Sequence, residues 1–141
     1  MMKRIPYGIS NFKEVIEENM YYVDKTKHIE TLERKDRYLF FIRPRRFGKS
    51  LFISMLQTYY DINEREQFNK YFGNLYIGQK KTSEANKYIV LKISFANVIS
   101  NQGREKFIES FDYIVCAEIN NCLRKYLDIF NGKTISDKEN K

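Results

Sequence analysis

Tyr38-Leu39-Phe40-Phe41-Ile42 is an unbroken apolar run closed by Arg43-Pro44, and a strongly amphipathic segment starts eight residues after it ends. An unbroken run of aromatic and branched residues reads as a strand buried on both faces, the kind found in parallel sheets. Pro44 lacks the amide needed to continue a ladder, so the strand stops there. Beyond Ser50, the residues Leu51, Phe52, Met55, Leu56, Tyr59 and Tyr60 fall in adjacent pairs every four positions. That spacing predicts a helix beginning near Ser50 with one broad apolar face. Strand, short loop and helix in this order restrict the chain to architectures in which a loop is held at a helix N-terminus.

The connecting loop is Arg43-Pro44-Arg45-Arg46-Phe47-Gly48-Lys49-Ser50. Its last three residues match the phosphate-binding pattern G-x-x-x-x-G-K-S/T in type and spacing, and Arg43 replaces the first glycine. Gly48 lets the backbone wrap closely around a phosphate, and the amides of Arg46, Phe47, Gly48, Lys49, Ser50 and Leu51 can converge as donors. Lys49 can reach the β- and γ-phosphates, while Ser50 carries the hydroxyl expected to coordinate magnesium. The expected ligand is ATP with Mg2+, bound at residues 46–51, with Ser50 as the metal ligand. Arg43 prefers a negative φ where glycine would be free, so this loop is expected to bend in its own way.

Charge supports an anionic partner. The 141-residue chain has 25 basic and 18 acidic residues, a formal balance of +7. Between Arg34 and Lys49 seven basic residues (Arg34, Lys35, Arg37, Arg43, Arg45, Arg46, Lys49) face Asp36 alone, leaving +6 in that stretch. Arg43, Arg45 and Arg46 could assist phosphate binding, contact nucleic acid, or be solvated. No stretch approaches the roughly 18 consecutive apolar residues of a membrane span, and the first residues do not lead into a signal peptide. The expectation is a cytoplasmic chain with no membrane partner. Phe and Tyr together make up 22 residues, too many large apolar rings for a disordered chain.

Along the rest of the chain, Asn11 or Ser10 can cap a short helix over 12–19, and Asp24 is read as the N-cap of a helix over 25–34 that carries Ile29 and Leu32. Asn63 and Glu66 resemble a capping box ahead of Phe68, Tyr71 and Phe72, with Gly73-Asn74 as the stop. Residues 88–95 read as a second strand. Residues 104–127 carry apolar positions at three- and four-residue intervals, the pattern of a long amphipathic helix. The tail over 131–141 is polar and expected to be disordered. Cys116 and Cys122 have neither zinc nor disulfide spacing and are read as packing residues. His28 is read as structural, and the pairs Tyr21-Tyr22, Phe40-Phe41 and Tyr59-Tyr60 as core.

Three strings in order, Ile5-Pro6-Tyr7-Gly8-Ile9-Ser10-Asn11-Phe12, Tyr21-Tyr22-Val23-Asp24-Lys25-Thr26 and the stretch from Phe41 to Leu56, followed by Leu75-Tyr76-Ile77-Gly78, resemble the AAA-ATPase-like family. Arg-Pro-Arg-Arg-Phe-Gly-Lys-Ser is highly specific to it, and arginine at the first glycine position is usual there. The resemblance implies an α/β fold: an AAA-like P-loop NTPase core with a parallel sheet and flanking helices, here incomplete. It assigns residues 1–130 to the N-terminal part of that domain, and members usually continue into a PD-(D/E)XK nuclease-like domain.

P-loop hydrolysis also needs an acid at the end of a second strand, to hold the magnesium shell and polarise water. Residues 88–95 are followed by Ala96-Asn97, and Glu118 sits within helical spacing. The family's acidic strand would then lie past Lys141, so hydrolysis by this chain is expected to stay near background. Two other readings stand beside ATP binding: a basic nucleic-acid-binding module, and an inactive truncated remnant. An incomplete sheet would expose strand edges and faces, giving self-association or a need for the missing C-terminal part.

Overall fold

Asn11 opens the first helix, α1 (Phe12–Glu17), by accepting the Lys13 amide on its side chain at 3.1 Å. Phe12 and Val15, one helical turn apart, are the buried face. The second helix, α2 (His28–Glu33), buries Ile29. The third, α3 (Lys49–Tyr60), starts where the pairing of apolar residues places it and buries Phe52, Met55, Thr58 and Tyr59. A 3-10 turn over Ile62–Gln67 then leads into α4 (Phe68–Phe72) and the short α5 (Tyr76–Gln79). Two further helices, α6 (Arg104–Lys125) and α7 (Leu127–Phe130), follow. This computed structural model describes residues 2–35 and 38–131, which fall into two compact units, Met1–Tyr88 and Ile89–Lys141.

In the first unit the helices meet around aromatic rings. Phe12 stacks on Phe72 with centroids 5.2 Å apart, Tyr59 meets Phe72 edge-on at 5.4 Å, and Ile29, Met55 and Ile77 complete a fully buried centre. Each such side chain contributes about 1.5–3 kcal/mol through apolar burial. A polar bond also joins α1 to α3: the Phe12 amide donates to Ser54 Oγ at 3.0 Å, 42 residues away. Gly78 is required by close approach, since a Cβ there would collide with the Phe72 carbonyl oxygen.

The described residues contain no β-strand, which overturns the expected α/β class and its parallel sheet. Residues 38–42 carry no regular secondary structure and are exposed; Tyr38, Phe40 and Ile42 retain 89%, 95% and 86% of their accessible surface. Phe41 alone among them stacks on a core ring, that of Phe52, at 5.0 Å. Residues 88–95 pair only at one parallel bridge, Asp61 with Tyr88, where the Ile62 amide donates to the Tyr88 carbonyl at 3.0 Å. The physical reason is that an apolar run becomes a buried strand only when neighbours occupy its ladder edges and helices cover its faces. Among the described residues nothing pairs with 38–42.

Several local expectations change with it. Asp61, not Asn63, caps the 3-10 turn, by accepting the Asn63 amide at 3.0 Å. Tyr21, Phe40 and Phe41 are exposed, so those three members of the aromatic pairs are not core, whereas Tyr59 is fully buried. Cys116 is exposed rather than packed, and Cys122 is half-buried. His28 is exposed at the start of α2.

The second unit is built on α6, which starts at Gly103 with φ +88° and runs for 22 residues. None of its residues is buried. Phe95 lies parallel to Phe111 at 5.4 Å, the Ile99 amide donates to Ser110 Oγ at 3.0 Å, and the Val90 amide donates to Tyr126 Oη at 3.1 Å. No helix among the described residues is long and apolar enough to cross a membrane. The tail expected to be disordered lies, from residue 132 on, outside the described residues.

Candidate functional site

The loop over 43–50 takes its shape from two left-handed residues, Arg46 at φ +67° and Gly48 at φ +73°. Glycine adopts this conformation freely, whereas arginine pays about 1–2 kcal/mol to do so. Arg43 itself has no positive φ, and the left-handed positions fall three and five residues later. Across the loop, Lys49 Nζ donates to the Arg43 carbonyl oxygen at 2.6 Å and draws the two ends together. The carbonyl of Gly48 accepts the first bond of α3, from the Phe52 amide at 2.9 Å. The amides of Lys49, Ser50 and Leu51 precede that bond and have no acceptor within the helix.

Gly48 and Lys49 are half-buried, while Arg43, Arg45, Arg46, Phe47 and Ser50 are exposed. Arg43 also places its guanidinium over the Phe41 ring, 5.6 Å from the centroid. Three hollows meet at Gly48. One of about 460 Å³ runs between the loop and the N-terminal segment and is lined by Pro6, Gly8, Arg46, Lys49 and Ser50. Another, of about 450 Å³, is lined by Lys25, Lys27, His28, Arg43 and Phe47. A smaller one, of about 230 Å³, lies among Pro6, Tyr22, Lys25, Gly48 and Leu51.

The wall opposite the loop is formed by residues 22–27, and its anchor is Asp24. Sequence reading makes Asp24 the cap of α2, but that helix begins at His28 with no side-chain cap. One carboxylate oxygen of Asp24 accepts the Thr26 amide at 2.8 Å and the Thr26 hydroxyl at 2.7 Å. The other accepts the Tyr76 amide at 2.8 Å, 52 residues away, so Asp24 supplies the start of α5 with the acceptor that Leu75 does not. Thr26, fully buried, accepts the Ile77 amide on its hydroxyl at 3.2 Å. Beside them, burial pushes the Tyr22 phenol up to about 12, with the Asp24 charge adding to the shift and the Lys25 backbone opposing it.

The structure thus brings together Arg46, Gly48, Lys49, Ser50 and Leu51 along one hollow and Phe47 with Gly48 along the next. It also brings in Lys25, which sequence reading passed over. The only sequence signal was its place in the Tyr21-to-Thr26 string. An exposed basic loop, a helix N-terminus and a lysine folded across the loop mouth suit an anionic ligand.

The family model described as AAA-ATPase-like, predicted AAA-ATPase, matches residues 6–140. The chain belongs to that family. A curated relative, named as an uncharacterized protein in the vnfD 5′ region of Azotobacter chroococcum mcd 1, is 33% identical over 104 residues. The match covers 73% of this chain and 19% of the relative, so the AAA-ATPase-like chain spans about a fifth of that protein's length. No solved structure matches the chain.

Proposed function

We propose that this AAA-ATPase-like chain binds ATP with magnesium through the loop over 43–50. The observation that carries the reading is the Lys49 ammonium held over the loop on the Arg43 carbonyl at 2.6 Å, beside Gly48 in its left-handed turn. A lysine parked there can exchange one backbone oxygen for phosphate oxygens without moving the helix that carries it. The amides of Lys49, Ser50 and Leu51 add neutral donors, and the positive end of the α3 dipole adds to the same preference. Arg46, Phe47 and Gly48 contribute the backbone that encloses the phosphates.

Ser50 suits magnesium as a single hydroxyl ligand. Ser50 lines the same hollow as Lys49, and magnesium commonly takes one or two protein oxygens and fills its remaining positions with phosphate and water. Among the described residues no group of three acidic, histidine or cysteine side chains could hold a metal by itself. The ion is therefore expected to arrive with the nucleotide, neutralising phosphate charge when bound. Turnover by this chain alone is expected near background, because no acidic side chain among the described residues lines the hollow shared by Lys49 and Ser50 to orient water.

Isothermal calorimetry with Mg-ATP tests the assignment. Lys49→Ala should weaken binding by about 10- to 100-fold, the worth of a charge-assisted contact to phosphate. Equal affinity of wild type and Lys49→Ala would place the site elsewhere.

A further inference from the structure

We infer that Lys25 is a second cation of the phosphate site, presented to the loop by the Asp24–Thr26 clamp. The inference rests on the nucleotide reading and extends it to a residue outside the loop motif. A Cβ placed on Gly48 would lie 3.5 Å from Lys25 Nζ, so the ammonium sits directly against the residue around which the loop turns. Lys25 also lines two of the three hollows that meet there, one with Arg43 and Phe47 and the other with Leu51.

The residues on either side of Lys25 are fixed. Asp24 accepts three donors and Thr26 is fully buried and bonded to the start of α5. The backbone at Lys25 is therefore held by contacts to residues 76 and 77, and its flexible side chain is the part left to reach the loop. Asp24, the nearest carboxylate in sequence, is occupied by those donors. Among the described residues no acid forms an ion pair with Lys25. A lysine beside a glycine turn, half-buried and without a carboxylate partner, presents its charge to whatever anion enters the hollow.

The chemistry separates Lys25 from Lys49. Lys49 is carried by α3 and spans the loop to the Arg43 carbonyl, whereas Lys25 comes from a segment 23 positions earlier in the chain than Gly48 and meets the loop at that glycine. Lys49 lines the hollow that holds Arg46 and Ser50, Lys25 lines the two adjoining ones, and Gly48 is common to all three, so a polyphosphate long enough to pass Gly48 would meet both cations and a monophosphate only one.

The test measures Mg-ATP and AMP binding by calorimetry at two salt concentrations, with melting temperatures, for wild type, Lys25→Ala, Lys25→Arg and Lys49→Ala. Lys25→Ala is expected to weaken Mg-ATP by about tenfold, the effect of losing one charge-assisted contact, to flatten its salt dependence, and to leave the melting temperature unchanged. Lys25→Arg is expected to restore most of the affinity. Loss of affinity in Lys49→Ala with Lys25→Ala binding like wild type overturns the role of Lys25 and spares the nucleotide reading. A Lys25→Ala defect that comes with a lowered melting temperature and that arginine does not repair marks a structural residue and also overturns it. Absence of Mg-ATP binding in wild type removes both readings.

Discussion

Two regions of similar apolar content have opposite fates. In the first unit, Phe12, Phe72, Tyr59 and Met55 lose essentially all their accessible surface to one another. Residues 38–42, equally apolar, keep most of theirs, and only Phe41 finds a ring to rest on. The helix α6 behaves like the second case, with an amphipathic pattern over 22 residues and none of them buried. The difference shows that apolar composition supplies the motive for burial but not the partner. A helix satisfies its own backbone bonds and needs only one packed face, whereas a strand needs neighbours for both its ladder and its faces.

The sharpest way to break this contrast is a pair of truncations. Phe72→Ala removes a fully buried ring that touches Phe12, Tyr59 and Phe68, and should cost about 3–5 kcal/mol of unfolding free energy. Phe40→Ala removes a ring of the same size from a site 95% exposed and should change stability by no more than about 0.5 kcal/mol. Urea titrations of both variants decide the matter; a large loss from Phe40→Ala would mean that residues 38–42 are covered.

A smaller effect is expected at the polar anchor between residues 24–26 and α5. Asp24→Ala leaves the Thr26 amide, the Thr26 hydroxyl and the Tyr76 amide without their acceptor, which should cost about 1–3 kcal/mol. Asp24→Asn keeps one oxygen and should fall between alanine and wild type. Thermal melts would rank the three, and a ranking with asparagine below alanine would contradict the bonding described.

The smallest effect is at the surface, where Glu17 accepts Lys70 Nζ at 2.6 Å and Tyr71 Oη at 2.7 Å. The Lys70 ammonium first, and the Tyr71 hydroxyl next, hold the Glu17 carboxyl below its ordinary value of 4.5. Because the folded value is the lower one, this contribution is fully present above 4.5 and disappears as pH falls through the folded value. Glu17→Gln should therefore be slightly less stable than wild type near neutrality and match it in acid. Urea midpoints across that range would show the gap closing; a gap that widens in acid would reverse the assignment.

Much of the helical skeleton was legible from the chain. The start of α3 after Gly48, its buried face, the Asn11 cap and the span of α6 follow from local periodicity and capping, which act within a few residues. The place of the basic loop at the head of α3 was legible for the same reason, since Gly48, Lys49 and Ser50 are adjacent to the helix they introduce. Legibility ended where contacts cross long separations. Asp24 looked like a cap for the residues following it, yet its carboxylate serves an amide 52 residues away. Lys25 carried no signal of its own, because its place against Gly48 exists only once α2, α3 and α5 have packed.

What the amino-acid order determined by itself was therefore the helices α1 to α4 and α6, the basic loop at the head of α3 and membership of a family that shares those strings. The tertiary structure decided which apolar residues are core, where the left-handed turns of the loop fall, and which lysine from outside the loop reaches it. The reason is physical: backbone hydrogen bonds and side-chain periodicity are set by near neighbours, whereas burial and the meeting of charges depend on surfaces that distant segments bring together.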